Sequence, residues 1–161
     1  MRGVVLLLGG NVGDVAHTFE GVKRDLEREV GSVVRCSEQL RSEAWGFESM
    51  PFLNEAVEVE SRLEPLELLK TTQRIEERWG RVRAAEREKK SESGERYCSR
   101  MIDIDIIFYG QEVIQTEPLT VPHPLMAQRR FVLEPLSQIV PHFVHPLLGL
   151  SVVEMLKRVE E

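Results

Sequence analysis

Two aspartates set two residues apart in an apolar run are the residues of this chain best suited to chemistry. They are Asp103 and Asp105, inside the isoleucine-rich stretch 100–110, whose composition is typical of a buried β-strand. Because side chains alternate between the two faces of a strand, both carboxylates point the same way, about 7 Å apart along it. The opposite face is predicted to point into the core and carries Ile104, Ile106 and Phe108.

Two neighbouring carboxylates in a sheet repel each other and resist burial, so positive charge must lie close to them. Two sources of that charge remain open at this point. Arginine side chains could pair with the carboxylates in salt bridges, or one or two divalent cations could bind beside them. Paired carboxylates on a rigid strand suit Mg²⁺, which prefers oxygen ligands. The spacing alone favours neither source.

Composition narrows the class of protein. The 161 residues predict one domain, 1–161, with a substantial core, and 42% apolar with 30% charged residues is ordinary for a soluble globular protein. A net charge of −6 argues against nucleic acid or an anionic membrane as partners. Cys36 and Cys98 lie far apart without a C-x-x-C motif, so we expect the free thiols of a cytoplasmic protein.

Hydrophobic periodicity predicts six main elements in the order β-α-β-β-α-β. They are a strand at 3–8, a helix from Asp14 to about residue 30, strands at 32–41 and 52–60, a helix at 65–79, and the aspartate strand. This order favours a ferredoxin-like α+β sandwich, in which helices cover an antiparallel sheet. Further predictions are a short strand at 113–114, a helix at 131–139, a last helix opened by the capping box of Ser151 and Glu154, and surface positions for His142 and His145.

The segment 81–99 is highly charged and has no apolar periodicity, so we predict a long loop there. Loops of this length inside a compact domain are usually functional or disordered. Arg81 and Arg83 follow the helix that bears Glu76, and Arg100 enters the aspartate strand. Arginines that converge on a carboxylate pair are what a polyphosphate with its metal ions requires.

Two polar residues elsewhere also suggest a site. Asn54 interrupts the strand 52–60 on the same face as Phe52, and its amide must be satisfied by backbone groups or presented to a ligand. His123 lies between two prolines, which make the turn around it rigid. Arg129 follows His123 within two helical turns, and the two residues together favour an anion site.

Taken together, these segments resemble the 6-hydroxymethyl-7,8-dihydropterin pyrophosphokinases of the folate pathway over nearly the whole chain. Their order and spacing are jointly specific, although no single segment decides the match. The segments are Gly9-Gly10-Asn11, Phe52-Leu53-Asn54 with Ala56-Val57, Gln73-Arg74-Ile75-Glu76, Gly80-Arg81-Val82-Arg83, Arg100 to Asp105, and Thr120-Val121-Pro122-His123 with Arg129 and Phe131.

The resemblance implies a ferredoxin-like fold and an ATP-dependent, Mg²⁺-dependent transferase. Such an enzyme moves the β,γ-diphosphoryl group of ATP to the hydroxymethyl oxygen of 6-hydroxymethyl-7,8-dihydropterin and releases AMP. We expect a cytoplasmic monomer with two Mg²⁺ ions held by Asp103 and Asp105, and Asp105 as the acceptor of the hydroxyl proton. Displacement at the β-phosphorus depends on charge neutralisation and in-line positioning, which agrees with paired carboxylates and arginines.

The resemblance also implies roles for individual side chains. Arg81, Arg83 and Arg100 are expected to contact the phosphates, and Arg81 and Arg83 to lie on a loop that closes over the site. ATP contacts fall to Gln73, Glu76, Ile106, Thr120, His123 and Arg129, with Arg130 as the neighbouring alternative to Arg129. Glu76 is expected to act through the ribose or by orienting the loop. Pterin contacts fall to Ser42, Trp45, Phe52, Asn54 and Phe131, with the two phenylalanines stacking on the ring.

The chain departs from the family pattern at three points. No tryptophan shortly precedes Arg100, and Tyr97 is the candidate substitute; Ser42-Glu43 replaces a common Thr-Pro pair; and Phe52 replaces a common tyrosine. These departures concern loop closure and pterin contacts, whereas the residues implied in the reaction itself are present.

Two other functions are open to a fold of this type. The first is another two-metal phosphoryl or nucleotidyl transferase on a ferredoxin-like palm, which would favour a polynucleotide partner; the negative net charge argues against it. The second is a non-enzymatic ferredoxin-like regulatory domain that binds a small ligand. That alternative does not explain why paired aspartates should face clustered arginines.

Overall fold

The computed structural model describes residues 1–42, 51–80 and 102–160. In this part of the chain there are seven strands, four α-helices and one short 3-10 helix. The strands are β1 (Arg2–Gly10), β2 (Gly31–Cys36), β3 (Leu40–Ser42), β4 (Phe52–Ser61), β5 (Asp103–Tyr109), β6 (Ile114–Gln115) and β7 (Thr120–Val121). The α-helices are α1 (Val15–Glu29), α2 (Pro65–Arg78), α3 (Arg130–Ile139) and α4 (Val152–Glu160), and the 3-10 helix is Met126–Gln128.

The main sheet is antiparallel, with the strand order β2-β4-β1-β5, and β3 pairs with the first residues of β4. Strands β6 and β7 form a separate hairpin. Strand β1, which is apolar from residue 3 onward, is central, as its composition predicts. A strand with neighbours on both sides and layers on both faces has little polar surface. This order confirms the ferredoxin-like α+β fold.

The sheet has a hydrophobic core on each face. Helices α1 and α2 cover one face, where Leu6 and Ile104 are packed with Phe19 and Leu68. Helices α3 and α4 cover the other face, where Leu7 and Phe108 are among the buried residues. Side chains of β1 alternate between the two cores: the even-numbered residues from Val4 to Leu8 point to one, and Val5 and Leu7 point to the other.

The prediction that Phe108 shares a face with Ile104 and Ile106 is wrong. The register of β1 with β5 shifts between Val5 and Leu6, so that Leu6 is opposite Ile106 while Val5 is opposite Phe108. Ile107 is therefore the extra residue of a β-bulge, and the bulge exchanges the faces of all later residues. Phe108 consequently packs in the second core, with its ring centroid 4.3 Å from that of Phe143.

The predicted strand 32–41 is broken into β2 and β3. Ser37 lies between β2 and β3 and binds β4 through both its backbone and its side chain. Its N–H donates to the backbone oxygen of Ala56 at 2.9 Å. In return the N–H of Ala56 donates to Ser37 Oγ at 2.8 Å. A side chain that competes with the backbone in this way lets the strand bend without leaving buried groups unsatisfied.

The C-terminal part confirms one prediction and corrects another. The capping box is present, because Ser151 N donates to Glu154 Oε1 at 3.0 Å and Glu154 N donates to Ser151 Oγ at 3.2 Å. His145, which we expected at the surface, is only 5% exposed. Its Nδ1 accepts hydrogen bonds from the N–H groups of Leu147 and Leu148, so the ring is a turn-forming core residue. Among the described residues, none of the helices has the length and apolar character needed to span a membrane.

Candidate active site

The structure places Asp103 and Asp105 on the same face of β5, as the strand period predicts. Both are partly exposed, and the residues between and after them, Ile104 and Ile106, are buried against the opposite layer. In the register with β1, Asp103 lies opposite Gly9 and Asp105 opposite Leu7. The carboxylates therefore occupy the end of the sheet where β1 finishes in its glycine pair, on the face covered by α3 and α4.

A row of cross-strand neighbours connects Asp103 with Asn54. Gly9 is paired with Asp103 on one side and with Asn54 on the other. Two strand spacings separate the aspartate from the asparagine, which amounts to about 10 Å. Since Gly9 has no side chain, the surface between them is flat: a Cβ at Gly9 would lie 3.5 Å from Asn54 Oδ1, and any longer side chain would fill the gap.

Asn54 is 4% exposed and has a side-chain partner. Its Nδ2 donates to Ser42 Oγ at 2.8 Å, and Ser42 is opposite Phe52 in the pairing of β3 with β4. These three residues, all predicted to contact the pterin, are therefore neighbours on adjacent strands. Phe131 lies on α3, partly buried against the core on this side of the sheet.

A cleft of about 270 Å³ runs along the outer edge of β5. It includes Asp105 and three residues predicted to bind ATP, which are Ile106, Thr120 and His123. Apolar residues complete its walls: Leu69, Ile104, Pro118, Leu119 and Pro124. The cleft thus brings residues of α2, β5 and the β6–β7 hairpin to one of the two predicted metal ligands. Its lining combines apolar side chains with a few polar groups, as the lining of small-molecule sites does.

His123 is fixed beside the aspartates by its backbone. Its N–H donates at 3.1 Å to the backbone oxygen of Ile107, a residue of β5. Burial lowers the pKa of His123, the positive charge of Arg129 lowers it further, and the negative charge of Asp103 opposes both effects. The imidazole is therefore neutral at physiological pH before a ligand binds. Arg129 stands 5.6 Å from the ring centre of Phe131, in a cation–π arrangement that fixes the guanidinium.

Helix α2 presents one face to β5. Leu69, Gln73 and Glu76 follow each other at intervals of four and three residues, which places them on one side of the helix. Leu69 lines the cleft, and Gln73, one turn further, is partly exposed. Glu76 is 2% exposed, and its Oε2 accepts a hydrogen bond of 2.7 Å from the N–H of Ile104. Its carboxylate thus has a partner in the protein itself.

The residues at this site fit Mg²⁺. In the described ranges no three acidic, histidine or cysteine side chains form a cluster that could enclose a metal ion. Two carboxylates beside a cleft are nevertheless the donor set that Mg²⁺ uses when substrate phosphates and water complete its octahedral shell. Asp103 and Asp105 would hold the ion or ions in that arrangement.

Four predicted site residues lie outside the described part of the chain, and their roles remain predictions. They are Trp45, Arg81, Arg83 and Arg100. The sequence had given no role to four residues that the structure places at the site, which are Gly9, Leu69, Pro118 and Leu119. Gly9 and Leu69 had a signal, because a glycine at the end of an apolar strand and a leucine one helical turn before Gln73 are visible in the sequence.

Comparisons with known proteins agree with this geometry. A family model described as 7,8-dihydro-6-hydroxymethylpterin-pyrophosphokinase (HPPK) matches residues 5–141. The chain is 36% identical over 160 residues to the 2-amino-4-hydroxy-6-hydroxymethyldihydropteridine pyrophosphokinase of Synechocystis sp. (strain ATCC 27184 / PCC 6803 / Kazusa), covering 99% of this chain and 77% of that protein. It is 40% identical over 145 residues to the protein of the same name from Porphyromonas gingivalis, covering 89% and 93% respectively.

Among solved structures, the HPPK-DHPS protein of Plasmodium falciparum with pteroate is similar to this chain with a TM-score of 0.77 and 14% sequence identity. The similarity covers 98% of this chain but 44% of that longer chain. At 14% identity this similarity shows the fold alone. The family is shown by the family model and by the relatives at 36% and 40% identity. The chain therefore belongs to the 7,8-dihydro-6-hydroxymethylpterin-pyrophosphokinase family.

Proposed function

We propose that this chain transfers the diphosphoryl group of ATP to the hydroxymethyl oxygen of 6-hydroxymethyl-7,8-dihydropterin, with two Mg²⁺ ions held by Asp103 and Asp105. One observation carries the assignment of the site. Asp103 belongs to the row that contains Asn54, and Asp105 lines the cleft that contains His123. The two carboxylates thus stand between a surface suited to a flat ring and a cleft suited to a nucleotide.

The transfer forms one bond and breaks one bond. The hydroxymethyl oxygen bonds to the β-phosphorus, and the bond from the β-phosphorus to the oxygen bridging it to the α-phosphate breaks. The electron pair of that bond leaves with AMP, and the hydroxyl proton passes to Asp105. Bound magnesium supplies neutralisation of the phosphate charge and makes the hydroxyl more acidic. The side chains of this site supply position and charge rather than a covalent intermediate.

The nucleotide occupies the cleft along the outer edge of β5. Ile106, Leu69 and Leu119 provide apolar surface for a flat base, and Gln73 and Thr120 lie within the same region. His123 and Arg129 flank the aspartates and bind the phosphate end, where Arg81, Arg83 and Arg100 complete the charge. Arg129 suits this role because its guanidinium is held over Phe131 and is a planar, permanently charged phosphate ligand.

The pterin lies on the flat surface over Gly9. Asn54 supplies a hydrogen-bonding amide that Ser42 holds in place, and Phe52, Phe131 and Trp45 supply stacking surface. Between Asn54 and Asp103 there is room for a ring system, because about 10 Å separates the two strand positions. A ring seated there directs its hydroxymethyl group toward the aspartates and the β-phosphate.

Mass spectrometry of the pterin product tests the proposed reaction. Incubation with ATP, Mg²⁺ and the hydroxymethyl pterin is expected to yield a pterin that carries two phosphoryl groups. A reaction without Mg²⁺ serves as the control and is expected to give no product. A pterin with a single phosphoryl group would show monophosphoryl transfer and would contradict the proposal.

We also propose that the chain works as a cytoplasmic monomer of one domain. Both hydrophobic cores are built on the same sheet, which supports a single folding unit. Sedimentation equilibrium is expected to return the mass of one chain, 18.5 kDa. Twice that mass at micromolar concentration would contradict the monomer.

A further inference from the structure

Glu76 binds the backbone between the two aspartates. Its Oε2 accepts the N–H of Ile104 at 2.7 Å, and Ile104 is the residue that separates Asp103 from Asp105. A hydrogen bond from a neutral donor to a carboxylate at this length is stronger than one between neutral groups. Helix α2 therefore holds β5 at Ile104, the residue between the two aspartates.

The position of β5 in the sheet gives this contact its importance. Among the described residues, β5 pairs with one strand, β1, and its other side is an edge. Edge strands have backbone groups that point away from the sheet and are less restrained than central ones. The bond from Glu76 restrains the edge at Ile104, while Leu8 of β1 is opposite the same residue on the inner side.

The burial of Glu76 argues against direct contact with a nucleotide. Glu76 is 2% exposed, and its neighbour Ile75 is fully buried in the core. A carboxylate is also the wrong charge for a phosphate neighbour. Keeping an acidic group buried near two others costs free energy, and a strong hydrogen bond to the strand offsets part of that cost.

We infer that Glu76 is a positioning residue: it sets the spacing and direction of Asp103 and Asp105 by holding the amide of Ile104. This inference rests on the proposed function, because it concerns the same pair of metal ligands. It replaces a contact between Glu76 and ATP with an action through the backbone of β5. Partners that orient metal ligands without touching the metal typically change affinity or activity by about 10- to 100-fold when removed.

Two substitutions separate the hydrogen-bond acceptor from the negative charge. Glu76→Gln keeps an oxygen that can accept from Ile104, whereas Glu76→Met keeps a similar shape without a strong acceptor. Thr72→Val is the matched control, because Thr72 is buried on the same helix, one turn before Glu76, and bonds within the helix to the oxygen of Leu69. Its loss tests helix packing while the bond from Ile104 to Glu76 stays in place.

Three measurements are made on each full-length variant. Amide hydrogen exchange reports the Ile104 N–H directly. Calorimetric titration with α,β-methylene ATP and Mg²⁺ reports binding at the aspartates without turnover, because this analogue cannot be cleaved between its α- and β-phosphates. Steady-state assays separate KM for the pterin from kcat.

In Glu76→Met we expect faster exchange at Ile104, Mg²⁺-dependent nucleotide affinity lower by about 10-fold or more, and KM for the pterin within about twofold of the wild type. Glu76→Gln is expected to restore exchange protection and affinity to within about threefold, and Thr72→Val to leave both unchanged. Equal losses of affinity in the Gln and Met variants would overturn the inference, because charge would then matter rather than the acceptor. Unchanged Ile104 exchange in Glu76→Met would overturn it as well.

If Glu76→Met does not fold, the wild-type protein decides the question. Ile104 exchange as slow as that of Leu6 in central β1 supports the inference, and exchange as fast as that of an unrestrained edge overturns it. These readouts do not require turnover. A wild-type enzyme that makes no diphosphorylated pterin would refute the proposed function, while altered exchange at Ile104 concerns the role of Glu76 alone.

Discussion

Asn54 Nδ2 donates a hydrogen bond of 2.8 Å to Ser42 Oγ across the pairing of β4 with β3. Because the amide nitrogen has this partner, Asn54 Oδ1 is the group closest to the open surface over Gly9, 3.5 Å from the point where a Cβ would stand. In the proposed function, this oxygen is the acceptor for an N–H group of the pterin. The hydroxyl of Ser42, on the neighbouring strand, therefore orients the amide of Asn54.

Removal of this hydroxyl should weaken pterin binding selectively. We predict that Ser42→Ala raises KM for the pterin by about 3- to 10-fold, the range expected for one hydrogen bond of roughly 0.5–1.5 kcal/mol, with KM for ATP unchanged. Ser42→Thr retains the hydroxyl and should restore KM, and Ser32→Ala, at an exposed position of β2, is the control. An equal rise in both KM values for Ser42→Ala would show general damage to the sheet instead.

The paired aspartates should be indispensable individually. Asp103→Asn and Asp105→Asn each remove one negative ligand while preserving shape, and we predict a loss in kcat of about 10²- to 10³-fold or more, as for other groups that stabilise transition-state charge. Thermal unfolding should show that the fold persists, since both side chains are partly exposed. Asp14→Asn, which keeps the N-cap of α1, is the matched control. Near-normal activity in either β5 variant would refute the two-metal assignment.

The middle of α1 packs tightly against Trp79, the residue that ends α2. A Cβ at Gly21 would lie 2.1 Å from the Trp79 ring, and the ring cannot retreat because its Nε1 donates to buried Asp25 at 2.8 Å. Alanine normally stabilises a helix relative to glycine by about 1 kcal/mol. Here we predict that Gly21→Ala destabilises the protein by about 1–3 kcal/mol through overpacking, measured by denaturant unfolding.

A double-mutant cycle checks the cause of that destabilisation. In the Trp79→Leu background the smaller side chain leaves room for a methyl group, so Gly21→Ala should there be neutral or stabilising. Persistent destabilisation in the Trp79→Leu background would mean that the clash with the indole is not responsible.

His145 should make the stability of the protein depend on pH near neutrality. Burial lowers the pKa of His145, and its Nδ1 must be unprotonated to accept from Leu147 and Leu148. A group whose pKa is lower in the folded state binds protons preferentially in the unfolded state. Its contribution to the free energy of unfolding is therefore complete above the ordinary pKa of 6.5 and declines as the pH falls below it.

Chemical denaturation at pH 7.5 and pH 5.5 measures this effect. The wild type should lose free energy of unfolding between these values, and His145→Asn, whose side-chain oxygen can still accept a hydrogen bond, should lose less. His142→Asn changes an exposed histidine on the preceding turn and should behave as the wild type does. The account of this turn is wrong if His145→Asn keeps the full pH dependence.

Local periodicity was sufficient for much of the fold. The apolar run of β1 and the alternation of β5 predicted a central strand and two carboxylates on one face, because both depend on neighbours within the same strand. The bulge at Ile107 was not predictable from β5, since a register shift is decided by the partner strand. The break at Ser37 likewise depends on Ala56, nineteen residues away.

The residues of the candidate site also differ in how far each could be predicted from its own segment of sequence. Asn54 and His123 carried a local signal, because a polar residue in a strand and a histidine between prolines are unusual in themselves. The bond between Glu76 and the N–H of Ile104 joins residues of different elements, and no pattern within the helix that bears Glu76 reveals it. His145 was misjudged because a polar side chain is expected at the surface, whereas here two backbone donors satisfy its ring nitrogen.

Isotope transfer tests the central claim most directly. Parallel reactions with ATP labelled at the α- or the γ-phosphorus, each with Mg²⁺ and the hydroxymethyl pterin, follow both sides of the broken bond. We predict that the γ-label appears in the pterin product while all of the converted α-label is recovered as AMP. Recovery of the α-label as ADP would contradict diphosphoryl transfer at this site.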